Sequence, residues 1–183
     1  MREIRPAGKA LVTGASRGIG LAVARALKKA GHAVTGTSRI PERYGGNVED
    51  IPLLALDLGD DSSIRECARK VGDVDILVNN AGRSRVGPAE EIPLGDFVED
   101  FRVNVFGTVL LTQRLLPRMR EKGGGFIINI GSLAAEFPVP FQSSYAASKS
   151  ALSAFTRSLR SEVGRYGVKV VLVEPYHILT PIE

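Results

Sequence analysis

The chain has 183 residues, 44% of them hydrophobic and 24% charged, which is ordinary for one soluble globular domain. Its net charge of +4 comes from scattered basic residues, which argues against a nucleic-acid or membrane-surface partner. The one cysteine, Cys67, excludes an intrachain disulfide and fits the cytoplasm, and no stretch reaches the roughly 20 apolar residues of a membrane span. Cys67 itself is predicted to be a small buried residue rather than a reactive thiol.

Short aliphatic runs alternate with longer amphipathic segments along the whole chain. Six strands are expected, at Ala10–Val12, Ala33–Thr37, Leu53–Leu56, Asp75–Val78, Phe126–Ile130 and Val168–Val173. Helices are expected at Gly18–Ala30, Asp60–Val71, Phe97–Arg120 and Ser143–Tyr166, and a loop at Pro41–Gly46. Apolar strands separated by helices indicate a parallel sheet covered on both faces. The sequence therefore predicts a single α/β domain over residues 1–183, with a doubly wound parallel sheet of the Rossmann type.

A glycine-rich segment, Thr13–Gly20, separates the first strand from the first helix. A helix N-terminus offers free amides and a favourable dipole to a pyrophosphate, and glycines let the backbone approach it. The spacing Gly-x-x-x-Gly-x-Gly is not the commoner Gly-x-Gly-x-x-Gly, and glycines also mark ordinary turns. Placement between a strand and an Ala-rich helix predicts a dinucleotide site. Its expected residues are Gly14, Ser16, Arg17, Gly18, Ile19 and Gly20.

The end of the second strand indicates which dinucleotide binds. An acidic residue about 20 positions after the loop would hold the adenosine ribose of NAD, whereas this chain has Thr37-Ser38-Arg39. Arg17 and Arg39 would either pair with a 2′-phosphate or lie solvated on the surface. We therefore predict NADP(H) as the cofactor, with Ser38 and Arg39 in its site and NAD(H) as the alternative.

A second motif indicates proton transfer. Tyr145 and Lys149 lie four residues apart near the start of a predicted helix, so both project from one face. An adjacent ammonium favours the phenolate and prepares a phenol for proton exchange at neutral pH. Ser132 follows the fifth strand, at the edge where a parallel sheet binds ligands, and its hydroxyl suits a carbonyl or alcohol oxygen. A Tyr-x-x-x-Lys pair alone is commonly a surface contact, but the three features in this order predict a catalytic site.

With these motifs the chain resembles the classical short-chain dehydrogenase/reductase family from Lys9 to Pro181. Thr13–Gly20 is similar to the family's cofactor loop, and Asn79-Asn80-Ala81-Gly82 to its motif after the fourth strand. The resemblance makes Ser132, Tyr145 and Lys149 catalytic, with Asn104 holding a proton-relay water. It adds cofactor contacts at Asp57, Leu58, Asn79, Ala81, Gly82, Tyr145, Lys149, Pro175, Ile178 and Thr180.

The resemblance also implies a reaction. A hydride passes between NADP(H) and a small-molecule carbonyl or secondary alcohol, Tyr145 acts as general acid/base, and Ser132 holds the reacting oxygen. Lys149 supports Tyr145 and binds the nicotinamide ribose. No metal is expected, and the two long helices would form a homodimer or homotetramer. The alternative is a non-catalytic NADP(H)-binding sensor or regulator on the same fold.

Some features depart from the family or stay ambiguous. Tyr176 replaces the usual glycine. Family members continue beyond the position of Glu183 with a substrate lid, a helix and a seventh strand. The sequence is therefore interpreted as incomplete, the alternative being a protein that lacks a substrate lid. Arg83 and Arg85 are interpreted as solvated loop residues rather than contacts to an anionic substrate. The apolar loop around Phe137 predicts a partly hydrophobic pocket, or else packing beneath a lid.

Overall fold

The computed structural model describes residues 8–176 and residue 178. Within them seven strands form one sheet, in the order β3-β4-β2-β1-β5-β6-β7. The strands are β1 (Lys9–Val12), β2 (Ala33–Ser38), β3 (Asn47–Val48), β4 (Ile51–Ala55), β5 (Ile76–Asn79), β6 (Gly125–Ile130) and β7 (Val168–Val173). Neighbours pair in parallel, except that β3 runs antiparallel to β4. The predicted α/β class is confirmed. The sequence predicted six strands, and the described residues form those six and one more, β3.

Five α-helices connect these strands in the described part of the chain. They are α1 (Gly18–Lys29), α2 (Asp61–Val71), α3 (Leu94–Phe101), α4 (Thr108–Glu121) and α5 (Ser143–Val163). The carboxylate of Asp60 caps α2 by accepting hydrogen bonds from the amides of Ser62 and Ser63. Past α5, Gly167 adopts a φ of 76°, a conformation that suits glycine. None of the described helices is long and apolar enough to cross a membrane.

The predicted helix Phe97–Arg120 begins earlier and is less regular than expected. It starts at Leu94, and a π-helical segment, Arg102–Gly107, joins α3 to α4. Segments of this kind are rare and often occur at functional sites. At its end, a Cβ on Gly107 would lie 2.2 Å from the carbonyl oxygen of Leu58. The absence of a side chain therefore lets the helix pack directly on the loop after β4.

The region predicted as a loop at Pro41–Gly46 holds a 3₁₀ turn, Pro41–Tyr44, and leads into β3. β3 and β4 form a hairpin whose two turn residues, Glu49 and Asp50, have φ of 52° and 58°. A strand of two residues shows no alternation of polar and apolar side chains, and for this reason the sequence did not predict it.

The hydrophobic core has one layer on each face of the sheet. On the first face, strand residues such as Leu77 and Ile127 pack with α2, α4 and α5, and on the second, Val78 and Ile130 pack with α1. Alternate residues of one strand serve opposite layers, which explains the unbroken apolar runs in the sequence. Cys67 is 1% exposed in the first layer, and burial raises the pKa of its thiol to about 11. The prediction that Cys67 is buried is confirmed.

The centre of the sheet contains a topological switch point. From β1 the chain continues to β2 and β4 on one side, then returns to β5 on the other side of β1. The loops after β1 and β5 therefore diverge at the carboxyl ends of the strands and leave a crevice where open α/β sheets bind ligands. The predicted cofactor loop follows β1, and Asn80–Gly82 follow β5.

Candidate active site

Thr13 holds the two loops of this crevice together. Its hydroxyl oxygen accepts hydrogen bonds from the amides of Asn80 and Ala81, each 2.9 Å long. The Asn80 side chain in turn donates to the Thr13 carbonyl at 2.9 Å. Thr13 and Asn80 were not among the predicted site residues, although both stand inside the motifs.

The glycine loop fits a pyrophosphate. Gly14 and Gly18 have φ of 65° and 56°, and a Cβ on Gly20 would lie 2.2 Å from the Gly14 carbonyl oxygen. The start of α1 therefore packs on the loop only without a side chain at position 20. The cap residue Arg17 contributes no side-chain cap, and the first turn of α1 carries no acidic residue. Backbone amides and the helix dipole thus face the crevice with no carboxylate competing for them in that turn.

The predicted adenosine-side residues follow neighbouring strands. The Ala15 amide donates to the Thr37 carbonyl at 3.0 Å, which ties the glycine loop to the end of β2. Ser38 is the last residue of that strand, and the exposed Arg39 follows it. Asp57 is exposed after β4, and its carboxylate accepts a hydrogen bond from the Gly59 amide at 2.8 Å. Leu58 is buried beneath Gly107.

Tyr145 and Lys149 lie one turn apart on α5. The Nζ of Lys149 is 5.7 Å from the ring centroid of Tyr145 and donates a hydrogen bond to the Ile130 carbonyl at 2.8 Å. Lys149 is 5% exposed, and its desolvation lowers the pKa of the ammonium to about 8. The charged form still predominates at neutral pH. The ammonium has three N–H groups, and the hydrogen bond to Ile130 uses one of them. The pair predicted from the sequence is therefore brought together at the end of β6.

Ser132 opens the turn that follows β6 and is half-buried. Its hydroxyl oxygen accepts a hydrogen bond from the Ala134 amide at 3.2 Å. The next amide, of Leu133, donates to the Pro175 carbonyl at 3.1 Å, which brings the segment after β7 beside Ser132. Ile178 lines a surface cavity with Gly18 and Ile19. Thr180 lies outside the described residues.

Asn104 is buried in the π-helical segment and joins three parts of the site. Its Oδ1 accepts from the Arg83 amide, and its Nδ2 donates to the Arg83 carbonyl and to the Ser148 hydroxyl, each at 2.9 Å. A Cβ on Gly82 would lie 3.0 Å from Asn104 Oδ1 and 3.6 Å from Lys149 Nζ. The loop after β5, the π-helical segment and α5 therefore meet around Gly82.

The side chain of Asn79 is directed into the protein. Its amide donates to Asn129 Oδ1 at 2.8 Å and to the Thr112 hydroxyl at 3.1 Å, and Asn129 donates to the Thr156 hydroxyl at 2.8 Å. These bonds connect α4 to α5 through β5 and β6. The Asn79 side chain therefore supports the sheet beneath the crevice, and any cofactor contact from this residue would come from its backbone.

The interpretation of Arg83 and Arg85 as solvated loop residues is wrong. Arg83 pairs with Glu99, and its Nε lies 3.1 Å from Oδ1 of the buried Asp100. Arg85 pairs with Asp96 at 2.7 Å. Both arginines therefore tie the loop after β5 to α3 and are already matched by carboxylates, which does not favour an anionic substrate.

Buried polar residues recur along the first long helix and were missed as a pattern. Asp100, Asn104, Thr108 and Thr112 stand at four-residue spacing and are all buried. On α5, Ser144, Ser148 and Thr156 are buried as well. A core-facing helix ordinarily presents an apolar stripe. The polar residues at this spacing could therefore have predicted that the two helices face each other and are joined by hydrogen bonds.

The family model for short chain dehydrogenases matches residues 8–183. The protein named uncharacterized oxidoreductase YusZ from Bacillus subtilis is 39% identical over 94% of this chain, and the chain spans 66% of its length. It spans 65% and 62% of two further relatives.

Two solved structures are similar and differ in their bound cofactor. One, from Beutenbergia cavernae with NADP at low occupancy, has a TM-score of 0.87 and 33% identity, over 94% of this chain and 73% of that one. The other, a 3-ketoacyl-(acyl-carrier-protein) reductase from Brucella melitensis complexed with NADH, has a TM-score of 0.89 and 30% identity, over 95% of this chain and 77% of that one.

Proposed function

The chain belongs to the short-chain dehydrogenase family, and we propose that the protein transfers a hydride between NADP(H) and a small-molecule carbonyl or secondary alcohol, with Tyr145 as general acid/base. The observation that carries this proposal is the buried ammonium of Lys149, one turn from Tyr145 and beside Gly82. Burying a charge is costly, and a buried ammonium with a lowered pKa beside a phenol is an arrangement that clusters at sites of proton transfer. No observation favours the non-catalytic alternative.

In this mechanism NADP(H), when bound, supplies or accepts the hydride. Tyr145 donates a proton to the substrate oxygen during reduction and accepts it during oxidation. The Lys149 ammonium stabilises the phenolate left after donation, and a remaining N–H would hold the nicotinamide ribose. Ser132 would donate a hydrogen bond to the reacting oxygen, and Asn104 would connect Lys149 to solvent through a water.

The preference for NADP(H) rests on charge at the end of β2. Position 39 is an arginine directly after the strand, and Arg17 is the cap residue of the neighbouring helix α1. Guanidinium groups match a 2′-phosphate in charge and geometry, whereas Thr37-Ser38-Arg39 offers no carboxylate to the ribose hydroxyls of NAD. We propose Ser38 and Arg39 as the residues that contact the 2′-phosphate, with Arg17 assisting.

Assembly and location belong to the same proposal. The outer faces of α4 and α5 would form a two-fold interface in a homodimer or homotetramer. Cys67 is a free, buried thiol, and free thiols are typical of proteins in reducing compartments. We therefore propose a cytoplasmic location.

A panel of aldehydes, ketones and secondary alcohols, assayed with both cofactors, tests the function. We expect turnover of at least one compound class, with kcat/KM for NADPH about ten-fold or more above that for NADH. Dinucleotide binding without turnover of any compound would contradict the proposed enzymatic activity. A preference for NADH would contradict the proposed role of Arg39.

A further inference from the structure

The carboxylate of Asp100 has no part in the proposed chemistry, yet it is fully buried next to the site. Its Oδ2 accepts a hydrogen bond from the Ser144 hydroxyl at 2.5 Å, and its Oδ1 lies 3.1 Å from Nε of Arg83. A buried carboxylate is tolerated only where such partners compensate for the lost water. Asp100 therefore connects α3, the loop after β5 and the first turn of α5.

A parallel connection lies one turn further along both helices. Asn104 holds the backbone of Arg83 and donates to the Ser148 hydroxyl, which donates to the Tyr145 carbonyl at 2.7 Å. The helices are thus joined by two rungs, Asp100–Ser144 and Asn104–Ser148. Tyr145 directly follows the serine of the first rung, and Lys149 directly follows the serine of the second.

The first rung matters because α5 starts without a side-chain cap. Gln142, its cap residue, makes no capping hydrogen bond, and the preceding Phe141 has a φ of 67°, which is unfavourable for an aromatic residue. An uncapped first turn frays readily, and this turn carries Tyr145. The bond from Ser144 to Asp100 fixes the turn from the side instead.

We propose that Arg83, Asp100 and Ser144, together the Asp100 clamp, are positioning residues that hold the first turn of α5 so that Tyr145 meets the substrate oxygen. The inference rests on the proposed function for the role of Tyr145. Since misplacement of a reacting group by about 1 Å can cost about a hundred-fold in rate, a clamp of this kind has a measurable effect on kcat.

Three variants and one matched control test the clamp in the protein. Ser144→Ala removes the rung with the least change in volume. Asp100→Ala removes both contacts of the carboxylate, whereas Asp100→Asn keeps an oxygen that accepts from Ser144. Glu99→Gln removes the neighbouring exposed carboxylate that also pairs with Arg83, and it leaves the rung intact.

We expect kcat to fall about ten-fold in Ser144→Ala and further in Asp100→Ala, with Asp100→Asn partly rescued and Glu99→Gln unchanged. The dissociation constant for NADPH should stay within about two-fold, and the solvent deuterium isotope effect on kcat should rise because proton transfer becomes slower. Hydrogen exchange should accelerate at amides 146–150 and stay unchanged at amides 156–162.

The exchange measurement separates the two proposals because it needs no substrate. If Ser144→Ala exchanges faster than wild type at amides 146–150 but the wild-type protein turns over no substrate, the proposed function fails and the clamp stands. Unchanged exchange in Ser144→Ala would overturn the clamp whatever the activity. The clamp would also be overturned if Glu99→Gln lowered kcat as much as Ser144→Ala does. The same holds if the fall in kcat of Ser144→Ala came with an equal weakening of NADPH binding. If Asp100→Ala does not fold, Ser144→Ala and Asp100→Asn decide the question.

Discussion

Lys149 illustrates how one residue couples stability to chemistry. Its ammonium is buried, and the low-dielectric surroundings lower its pKa from 10.5 to about 8. Between these two pH values the unfolded chain binds more protons than the folded protein, so the free energy of unfolding rises with pH across this window. Below about pH 8 the cost of burying the charge is present in full.

We therefore expect the wild-type protein to gain stability relative to Lys149→Met as the pH rises from 8 towards 10.5. Over the whole window the gain in the free energy of unfolding should approach about 3 kcal/mol, because a pKa change of one corresponds to about 1.4 kcal/mol. Urea unfolding of both proteins at several pH values measures it. Lys169→Met, at an exposed position of β7, serves as the control. A stability difference between wild type and Lys149→Met that does not change with pH would contradict the account.

The proposed cofactor preference also rests on single residues. Arg39→Ala should weaken NADPH binding by about ten-fold and leave NADH binding nearly unchanged, because the lost interaction is charge-assisted and specific to the 2′-phosphate. Fluorescence titration of both cofactors measures the effect. Arg43→Ala removes another exposed arginine four residues later and should alter neither affinity. Equal weakening of NADPH and NADH by Arg39→Ala would reject the assignment.

At this scale the sequence predicted which residues lie close together where they adjoin one another in short motifs. Tyr145 and Lys149 are four apart on one helix, so helical geometry alone brings them together. The contacts of Asp100 with Arg83 and Ser144 link distant positions of the chain. They depend on how α3 and α5 pack, which periodicity does not specify.

At the scale of elements, the loop and α1 form one unit because Gly20 has no side chain. Gly20→Ala would place a Cβ 2.2 Å from the Gly14 carbonyl oxygen and 2.5 Å from Asn80 Nδ2. We expect it to lower the free energy of unfolding by about 1–3 kcal/mol through overpacking. It should also weaken NADPH binding by more than about ten-fold, because the displaced amides no longer face the pyrophosphate.

Gly95→Ala provides the matched control. Gly95 lies in the first turn of α3, and a Cβ there would meet nothing within 4 Å. Because alanine favours helix over glycine, this variant should be more stable by about 0.5–1 kcal/mol, with NADPH binding unchanged. Urea unfolding and fluorescence titration compare the two variants. Equal behaviour of Gly20→Ala and Gly95→Ala would show that the close packing at Gly20 is unimportant.

The elements that the sequence predicted well are those buried on both faces. The runs at β5 and β6 are apolar throughout since alternate residues enter opposite core layers. The π-helical segment Arg102–Gly107 was not predicted, because one extra residue in a turn leaves no mark in an apolar pattern. Strand β3 was missed because its two residues gain their strand character from pairing with β4.

At the scale of the whole molecule, the proposed two-fold contact would use the outer face of α5. Its exposed residues include Ser150, Ala154, Ser158 and Ser161, small side chains that let another helix approach closely. We expect sedimentation to show a dimer or tetramer, and Ala154→Arg to shift it to the monomer. Ala30→Arg, at the end of α1 on the opposite face of the sheet, should leave assembly unchanged. A monomeric wild-type protein at micromolar concentration would contradict the interface.

The central claim is that this fold holds a dinucleotide so that the Tyr145 hydroxyl can exchange a proton with the substrate. The most direct measurement is kcat of Tyr145→Phe together with its NADPH affinity. Tyr44→Phe, which changes a tyrosine in the 3₁₀ turn Pro41–Tyr44, serves as the control. We predict a fall in kcat of about 10²–10⁴-fold, with the NADPH dissociation constant within about two-fold of wild type. Turnover by Tyr145→Phe at close to the wild-type rate would contradict the claim.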